Sequence, residues 1–242
     1  MPNILKQWKV LPHGKLTQVD DGLLTVIGDI RMPLVDFVRR MTVVRLRDGR
    51  LVVYSAFALD EDEMQALDDF GSMAFLVVPG DHHRRDVGVW KTRYPDIQVV
   101  APPGARDKVE EIVVVDTDHD AFEDPGVDLV TVPGTDGHEA ALVIKRAAGT
   151  TIVVNDLIAN MERPGGFGGW LLARMGYAGD EPQIPAFARR KLIDDVDVLA
   201  AQLRQWADDP RLIRILPSHG APIENDPAGT LRRLAESLAI TS

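Results

Sequence analysis

Short apolar runs separated by polar turns recur along the whole chain, and their lengths are those of strands and short helices. Residues 22–27, 41–46 and 51–55 read as strands, the last two joined by Arg47-Asp48-Gly49-Arg50, where Asp-Gly is a hairpin signal. Asp60, Glu61, Asp62 and Glu63 open a helix running to about Phe70, with the acids where the helix dipole favours them. Residues 74–78 form a continuous apolar run of the kind buried on both faces. A helix over 87–94, a strand over 97–101 and a short helix over 104–111 follow. The second half predicts strands at 112–115, 127–132, 140–146 and 151–154, with Ala148-Gly149 turning the last hairpin. Residues 164–185 break the rhythm with glycines at 165, 166, 168 and 169 and a bulky set, Phe167, Trp170, Leu171, Leu172, Met175 and Tyr177. A helix or helix pair over 186–206, a strand over 212–216 and a closing helix over 227–238 complete the pattern. Two halves that each mix strands with helices, with no linker composition between them, predict one α/β layered domain over residues 1–242.

Composition narrows the chemistry. The 242 residues carry a net charge of −10, from 27 Lys and Arg against 37 Asp and Glu, with 45% hydrophobic and 26% charged residues. That is the balance of a folded globular protein rather than a disordered one. The chain has no cysteine, which excludes disulfides, thiolate zinc sites, iron–sulfur clusters and cysteine nucleophiles. Any metal must be held by His, Asp, Glu or backbone oxygen. The acidic balance argues against nucleic acid and anionic membranes as partners. The start, Met-Pro-Asn-Ile-Leu-Lys-Gln-Trp, shows no signal-peptide pattern, and no run approaches the roughly 18 apolar residues of a membrane span. A cytoplasmic location is the expectation.

The six histidines are His13, His82, His83, His119, His138 and His219, and several follow predicted strands. After residues 74–78 comes Pro79-Gly80-Asp81-His82-His83-Arg84-Arg85-Asp86-Val87-Gly88. Thr151-Ile152-Val153-Val154-Asn155-Asp156 delivers an acid at another strand end, and Leu216-Pro217-Ser218-His219-Gly220-Ala221-Pro222-Ile223 a histidine at a third. Rigid strand ends are platforms on which such groups converge.

In order, spacing and strand context, these segments resemble the metallo-β-lactamase superfamily over about residues 22–240. The resemblance implies a four-layer αββα sandwich with metal ligands on loops at one sheet edge. It also implies a His-x-His-x-Asp-His motif, a Gly-His turn, an Asp ending a strand and a late His-Gly. With Asp86-Val87-Gly88 and the helix to Tyr94-Pro95 as register, the six-residue motif is Asp81-His82-His83-Arg84-Arg85-Asp86. His83, Asp156 and His219 keep ligand types at the implied positions, whereas Asp81, Arg85, Asp86 and Thr135 replace them. A register one residue away offers His82 in place of His83. Tyr54-Ser55 stand where the family usually has an Asp after the first hairpin, which weakens the expected support of the ligands.

What remains is a depleted site. His83, Asp156 and His219, with Asp81 or Asp86 as a further oxygen ligand, would hold one divalent ion such as Zn, Mn or Fe. Arg85 works against a second ion and would act as an electrostatic helper, pairing with Asp86 or Asp156 or binding an anionic group. The leading reading is a hydrolase of carboxylic ester, lactone or phosphoester bonds, with His83, Arg85, Asp156 and His219 catalytic. Two alternatives stay open: a metal-free enzyme whose water is activated by His83 or His219, and a non-catalytic small-molecule binding protein. Residues 164–190 would cover the site as an insertion, Phe167, Trp170, Met175 and Tyr177 walling an apolar pocket with His138 nearby. The same apolar segment would equally serve a homodimer contact. His119, in Asp116-Thr117-Asp118-His119-Asp120, reads as a solvated acidic turn, and His13 as a surface residue.

Overall fold

The computed structural model describes residues 4–31, 36–163 and 165–239. Its first half is a six-stranded sheet in simple sequential order: β1 (Thr17–Asp20), β2 (Leu23–Arg31), β3 (Asp36–Arg45), β4 (Arg50–Tyr54), β5 (Ser72–Val77) and β6 (Gln98–Val100). The first four strands are antiparallel, and Gly22 and Gly49, at φ of 65° and 88°, take left-handed conformations at two of the turns. The chain then changes habit. Helix α1 (Glu61–Phe70) carries it from β4 to a parallel β5, and α2 (Val87–Arg93) carries it on to a parallel β6. The Asp60 carboxylate caps α1 by accepting from the Glu63 amide, as the acidic start predicts. Helix α3 (Arg106–Glu110) follows.

The second half is a four-stranded sheet of β7 (Val127–Thr131), β8 (Ala140–Lys145), β9 (Thr150–Asn160) and β10 (Leu212–Gly220), in the order β10-β9-β8-β7. Between the parallel neighbours β9 and β10 run α4 (Gly166–Arg174), α5 (Ala186–Lys191) and α6 (Val196–Ala207), and α7 (Pro227–Ala239) closes the chain. The two sheets face each other across Leu23, Val44, Val52, Tyr54, Phe75 and Val77 on one side and Leu142, Ile144, Val153 and Leu216 on the other. The opposite face of the first sheet packs against Met64 and Leu67 of α1, Trp90 of α2 and Val109 of α3. That of the second packs against Leu199, Leu203 and Trp206 of α6 and Leu231, Leu234 and Leu238 of α7. This is the four-layer αββα arrangement. Burying a large apolar side chain in such a layer contributes about 1.5–3 kcal/mol. Among the described residues, no helix is long and apolar enough to cross a membrane.

Three differences from the sequence pattern bear on the site. Strands β9 and β10 run well past their apolar cores, so Asn155, Asp156, Ser218 and His219 lie inside strands rather than after them. Polar groups persist in these buried strands because most have partners on neighbouring elements. Pro217 is tolerated because β10 is an edge strand. Residues 112–115 are not a strand: Val114 is 72% exposed, and the chain touches β6 only beyond the segment, at the Val100–Thr117 bridge. His13 is not a surface residue, since its ring lies by Phe57 with Nε2 accepting from the Asp60 amide at the start of α1.

Candidate functional site

At one end of the sandwich, β9, β10 and the loop after β5 bring Asp156, His219 and His83 together, all three buried. His83 Nε2 is 3.3 Å from His219 Nε2 and 3.5 Å from Asp156 Oδ1, and His219 Nε2 is 2.9 Å from that oxygen. Ligand atoms about 2.0–2.2 Å from a tetrahedral ion stand about 3.3–3.6 Å apart, so the two separations to His83 have the spacing of a metal face, while His219 and Asp156 stand at the closer distance of a hydrogen bond. Hydrogen-bond logic sharpens the point. His219 Nδ1 is 2.7 Å from the Val38 carbonyl, which only accepts, so Nδ1 carries a proton. A neutral His219 therefore turns its Nε2 lone pair toward the Asp156 carboxylate, an arrangement that calls for a cation or a proton between them.

His83 is oriented by a residue the sequence pattern undervalued. Its Nδ1 lies 2.6 Å from Ser55 Oγ, and Ser55 sits just beyond β4 at φ 58°, a left-handed conformation uncommon for a serine. The loop carrying His83 reaches this position through Gly80. A Cβ there would come within 2.6 Å of Glu139 Oε1 and 3.1 Å of the His138 carbonyl, so glycine suits the approach. Glu139 is itself part of the surroundings. Its Oε1 accepts from Asn155 Nδ2 and its Oε2 from the Asp156 amide, and it is completely enclosed.

Electrostatics separate the two neighbouring carboxyls. Burial, followed by the charge of Asp156, pushes Glu139 well above the usual carboxylate range and favours its protonated form. Burial would raise Asp156 as well, but His83 and His219 together outweigh it and hold Asp156 well below its ordinary value. His83 is pushed down to about 4, chiefly by burial and against the pull of Asp156. A neutral imidazole beside an ionised carboxylate is the protonation pattern of a ligand set.

A pH dependence of stability follows. In metal-free protein the unfolded chain takes up the His83 proton below about 6.5, while the folded chain resists until about 4. Across that window the unfolded state binds more protons, so stability rises with pH, by about 3 kcal/mol at most from this one group. The depressed Asp156 acts in the same direction at still lower pH. Glu139, held protonated above the usual carboxylate range, acts in the opposite direction above its ordinary value of 4.5, so the His83 contribution is read as a difference: the stability of the parent relative to His83→Gln, measured in chelator, should rise from pH 4 to 6.5. Equal slopes in both proteins would contradict the assignment.

The other expected site residues fall in different places. His82 is exposed and packs edge-on against Phe187, so His83 is the residue that faces Asp156 and His219. Asp86 is corrected as a metal ligand: its Oδ2 accepts from Arg39 Nη2 at 2.9 Å and its Oδ1 from the Ala58 amide. Arg85 therefore does not pair with Asp86; its buried Nε has no hydrogen-bond partner. Arg84 is engaged with the Asp81 and Lys108 carbonyls and with Glu111. Asp81 stands outside the three-residue group, with Oδ1 3.5 Å from His138 Nδ1. Thr135, at the position of the implied turn histidine, spends its hydroxyl on the Val132 carbonyl.

Of the apolar wall, Tyr177 lies edge-on to His219 at 5.7 Å between ring centres and packs against Phe37, which itself stands 4.4 Å from the His219 ring. Met175 packs in the same cluster, and Trp170 is 48% exposed. The Phe167 side chain and Pro164 lie outside the described residues. The residues that pattern reading passed over are Ser55, Glu139, Arg39 and Phe37. One signal was present, namely two consecutive arginines in an otherwise apolar strand. Arg39 meets Asp86 there, and Arg40 donates to the Pro217 and Gly220 carbonyls that flank His219.

No family model and no curated protein sequence matches the chain. Solved structures do. The chain is similar to the metallo-β-lactamase DIM-1 exposed to ceftazidime, with 12% identity, a TM-score of 0.63, and coverage of 95% of this chain and 99% of that one. It is similar to FIM-1 from Pseudomonas aeruginosa in its mono-zinc form, with 14% identity, a TM-score of 0.61, and 95% and 97% coverage. A metallo-β-lactamase from Hirschia baltica gives 10%, 0.59, and 91% and 97%. At these identities the likeness speaks to architecture. The chain has the metallo-β-lactamase superfamily fold.

Proposed function

We propose that this chain is a metal-dependent hydrolase acting on ester-type bonds of a small molecule, with one divalent ion held by His83, Asp156 and His219. One observation carries the reading: three buried donor atoms converge within 3.5 Å, and a backbone carbonyl sets the tautomer that aims one of them at a carboxylate. The fold supports it, since FIM-1, which this chain resembles in architecture, is described in a mono-zinc form. A divalent ion in this set supplies Lewis acidity toward a carbonyl or phosphoryl oxygen and makes water acidic near neutral pH.

The chain's own residues do the rest. Asp156 provides the negative charge, and Ser55 and Val38 hold the two imidazoles in ligand orientation. Phe37 and Tyr177 pack about His219 and limit water on that side. Arg85 is the electrostatic helper, its charge felt at the neighbouring Arg39. Met175 and Tyr177, with Trp170 and His138, form the substrate side, which favours an apolar acyl or alkyl portion.

Protein purified without chelator should contain about one equivalent of Zn, Mn or Fe, and should turn over at least one of a panel of carboxylic esters, lactones and phosphoesters. Less than about a tenth of an equivalent, unrestored by adding any of the three ions, would remove the metal from the reading. Turnover without metal would then point to water activated by the His–Asp pair. Full metal with no turnover on the panel would point to a binding protein.

A further inference from the structure

At the opposite end of the sandwich from the three-residue group lies a cleft of about 560 Å³ lined by five cations, Arg45, Arg47, Lys145, Arg146 and Arg211, and one acid, Asp21. Thr150 begins β9 beside it and Asp156 lies six residues along, so the two places are about 20 Å apart by strand rise. In a chain of net charge −10, such a concentration of positive charge does not follow from composition.

The guanidinium groups of Arg146 and Arg211 are held by backbone carbonyls yet not neutralised. Arg146 donates from Nε to the Asp21 carbonyl, from Nη1 to the Gly126 and Lys145 carbonyls, and from Nη2 to the Arg45 carbonyl. Arg211 Nη2 donates to the Arg146 and Ala147 carbonyls, which leaves its Nε and Nη1 for other acceptors. Arg45 lies over the Phe70 ring and reaches only the Phe70 carbonyl, at 3.4 Å. Among the described residues, no carboxylate pairs within 4.0 Å of Arg45, Arg146 or Arg211, whereas Lys145 pairs with Asp128 and Arg47 lies 3.9 Å from Asp124. Neutral carbonyls orient a guanidinium without cancelling its charge, so Arg146 adds charge while Arg45 and Arg211 keep spare donors for acceptor oxygens.

We infer that this cleft binds a small multiply charged anion with phosphoryl-type oxygens, of pyrophosphate to nucleotide size. The volume is that of a small-molecule site, and a compact anion satisfies the spare donors of Arg45 and Arg211 together. A long nucleic-acid backbone is disfavoured by the acids near the cleft's cations, since Asp124 lies 3.9 Å from Arg47 and Asp128 pairs with Lys145, in a chain of net charge −10. An ordinary structural tie between three turns would need Arg146 alone. It would not place Arg45 and Arg211 beside it unpaired.

Calorimetric titration of the intact protein with inorganic pyrophosphate and with a nucleoside triphosphate tests the site. Binding is expected at low ionic strength and should weaken as NaCl rises to about 0.5 M. The double variant Arg45→Gln/Arg211→Gln, which leaves the Arg146 tie intact, should weaken binding at least about tenfold. His219→Ala and, as a second variant should that one fail to fold, Asp156→Asn should leave it unchanged. Three results would each overturn the proposal: no heat at about 1 mM pyrophosphate; loss of binding in the His219 or Asp156 variant but not in the arginine pair; or tighter binding of duplex DNA than of either small anion.

Discussion

Asp156→Asn is expected to give a folded protein that holds less than about a tenth of an equivalent of metal and turns over at least about a thousandfold more slowly than the parent. The substitution keeps the shape and removes the charge. An amide also donates: its N–H would sit where Oδ1 now lies, 2.9 Å from the His219 lone pair and 3.5 Å from that of His83. The variant offers an N–H to lone pairs that otherwise call for a cation, so in chelator it should still fold cooperatively, while giving up the stability that the ionised Asp156 contributes. A cooperative fold kept while metal and turnover are lost separates a ligand from a core residue. Ser55→Ala gives the graded counterpart. It removes the partner of His83 Nδ1 and not a donor atom, so metal affinity should fall about 10–100-fold and excess metal should restore turnover. Asp156→Asn with metal content and turnover intact would dismantle the proposed centre.

Much of this architecture was readable from the pattern of apolar runs, because strand length and helix caps are local properties. Asp60 announces α1, and Asp48-Gly49 announces the turn between β3 and β4. The run around His219 was readable for another reason. Gly220 takes φ 106°, and a Cβ there would collide with the Asn160 carbonyl, so His219-Gly220 is a local backbone necessity as well as a chemical one. The supporting contacts were not readable, because they join residues far apart in sequence. Ser55 meets His83 across 28 positions, Arg39 meets Asp86 across 47, and Val38 meets His219 across 181. No periodicity encodes such a pairing. Ser55 looked like the loss of a supporting acid, yet its hydroxyl fills the supporting role at a left-handed backbone position. Residues 112–115 failed in the opposite sense: a β-branched run has strand propensity, but no neighbour offered it a ladder.

The same long-range geometry explains how a depleted ligand set is arranged. Thr135 and Asp86, two of the positions where the resemblance implies ligands, are occupied by side chains satisfied elsewhere. Arg39 brings a second positive charge close enough to lower His83 and to be felt by Asp156. A fixed guanidinium there contributes charge without an open coordination position. The chemistry is thereby concentrated on the three residues that converge.

Asp86→Ala should be the most destabilising of the single changes around the site, at about 3–5 kcal/mol, while leaving metal stoichiometry near that of the parent. Arg39 is almost completely buried, and burial already lowers its affinity for its proton; Asp86 is the first-ranked force opposing that. Removing the carboxylate strands a guanidinium whose remaining named acceptor is the Ala56 carbonyl, and it also orphans the Ala58 amide. For a chain of 242 residues such a loss lowers the melting temperature by about 10 °C. Replacing both partners, as Arg39→Met/Asp86→Leu, should recover more than half of the loss, since two apolar groups of similar volume leave no buried charge. The pair of measurements is decisive about Asp86. If it served as a ligand, the single variant would shed metal and the double variant would recover nothing. If it serves as the counter-ion of Arg39, stability follows the pairing and the metal follows His83, Asp156 and His219.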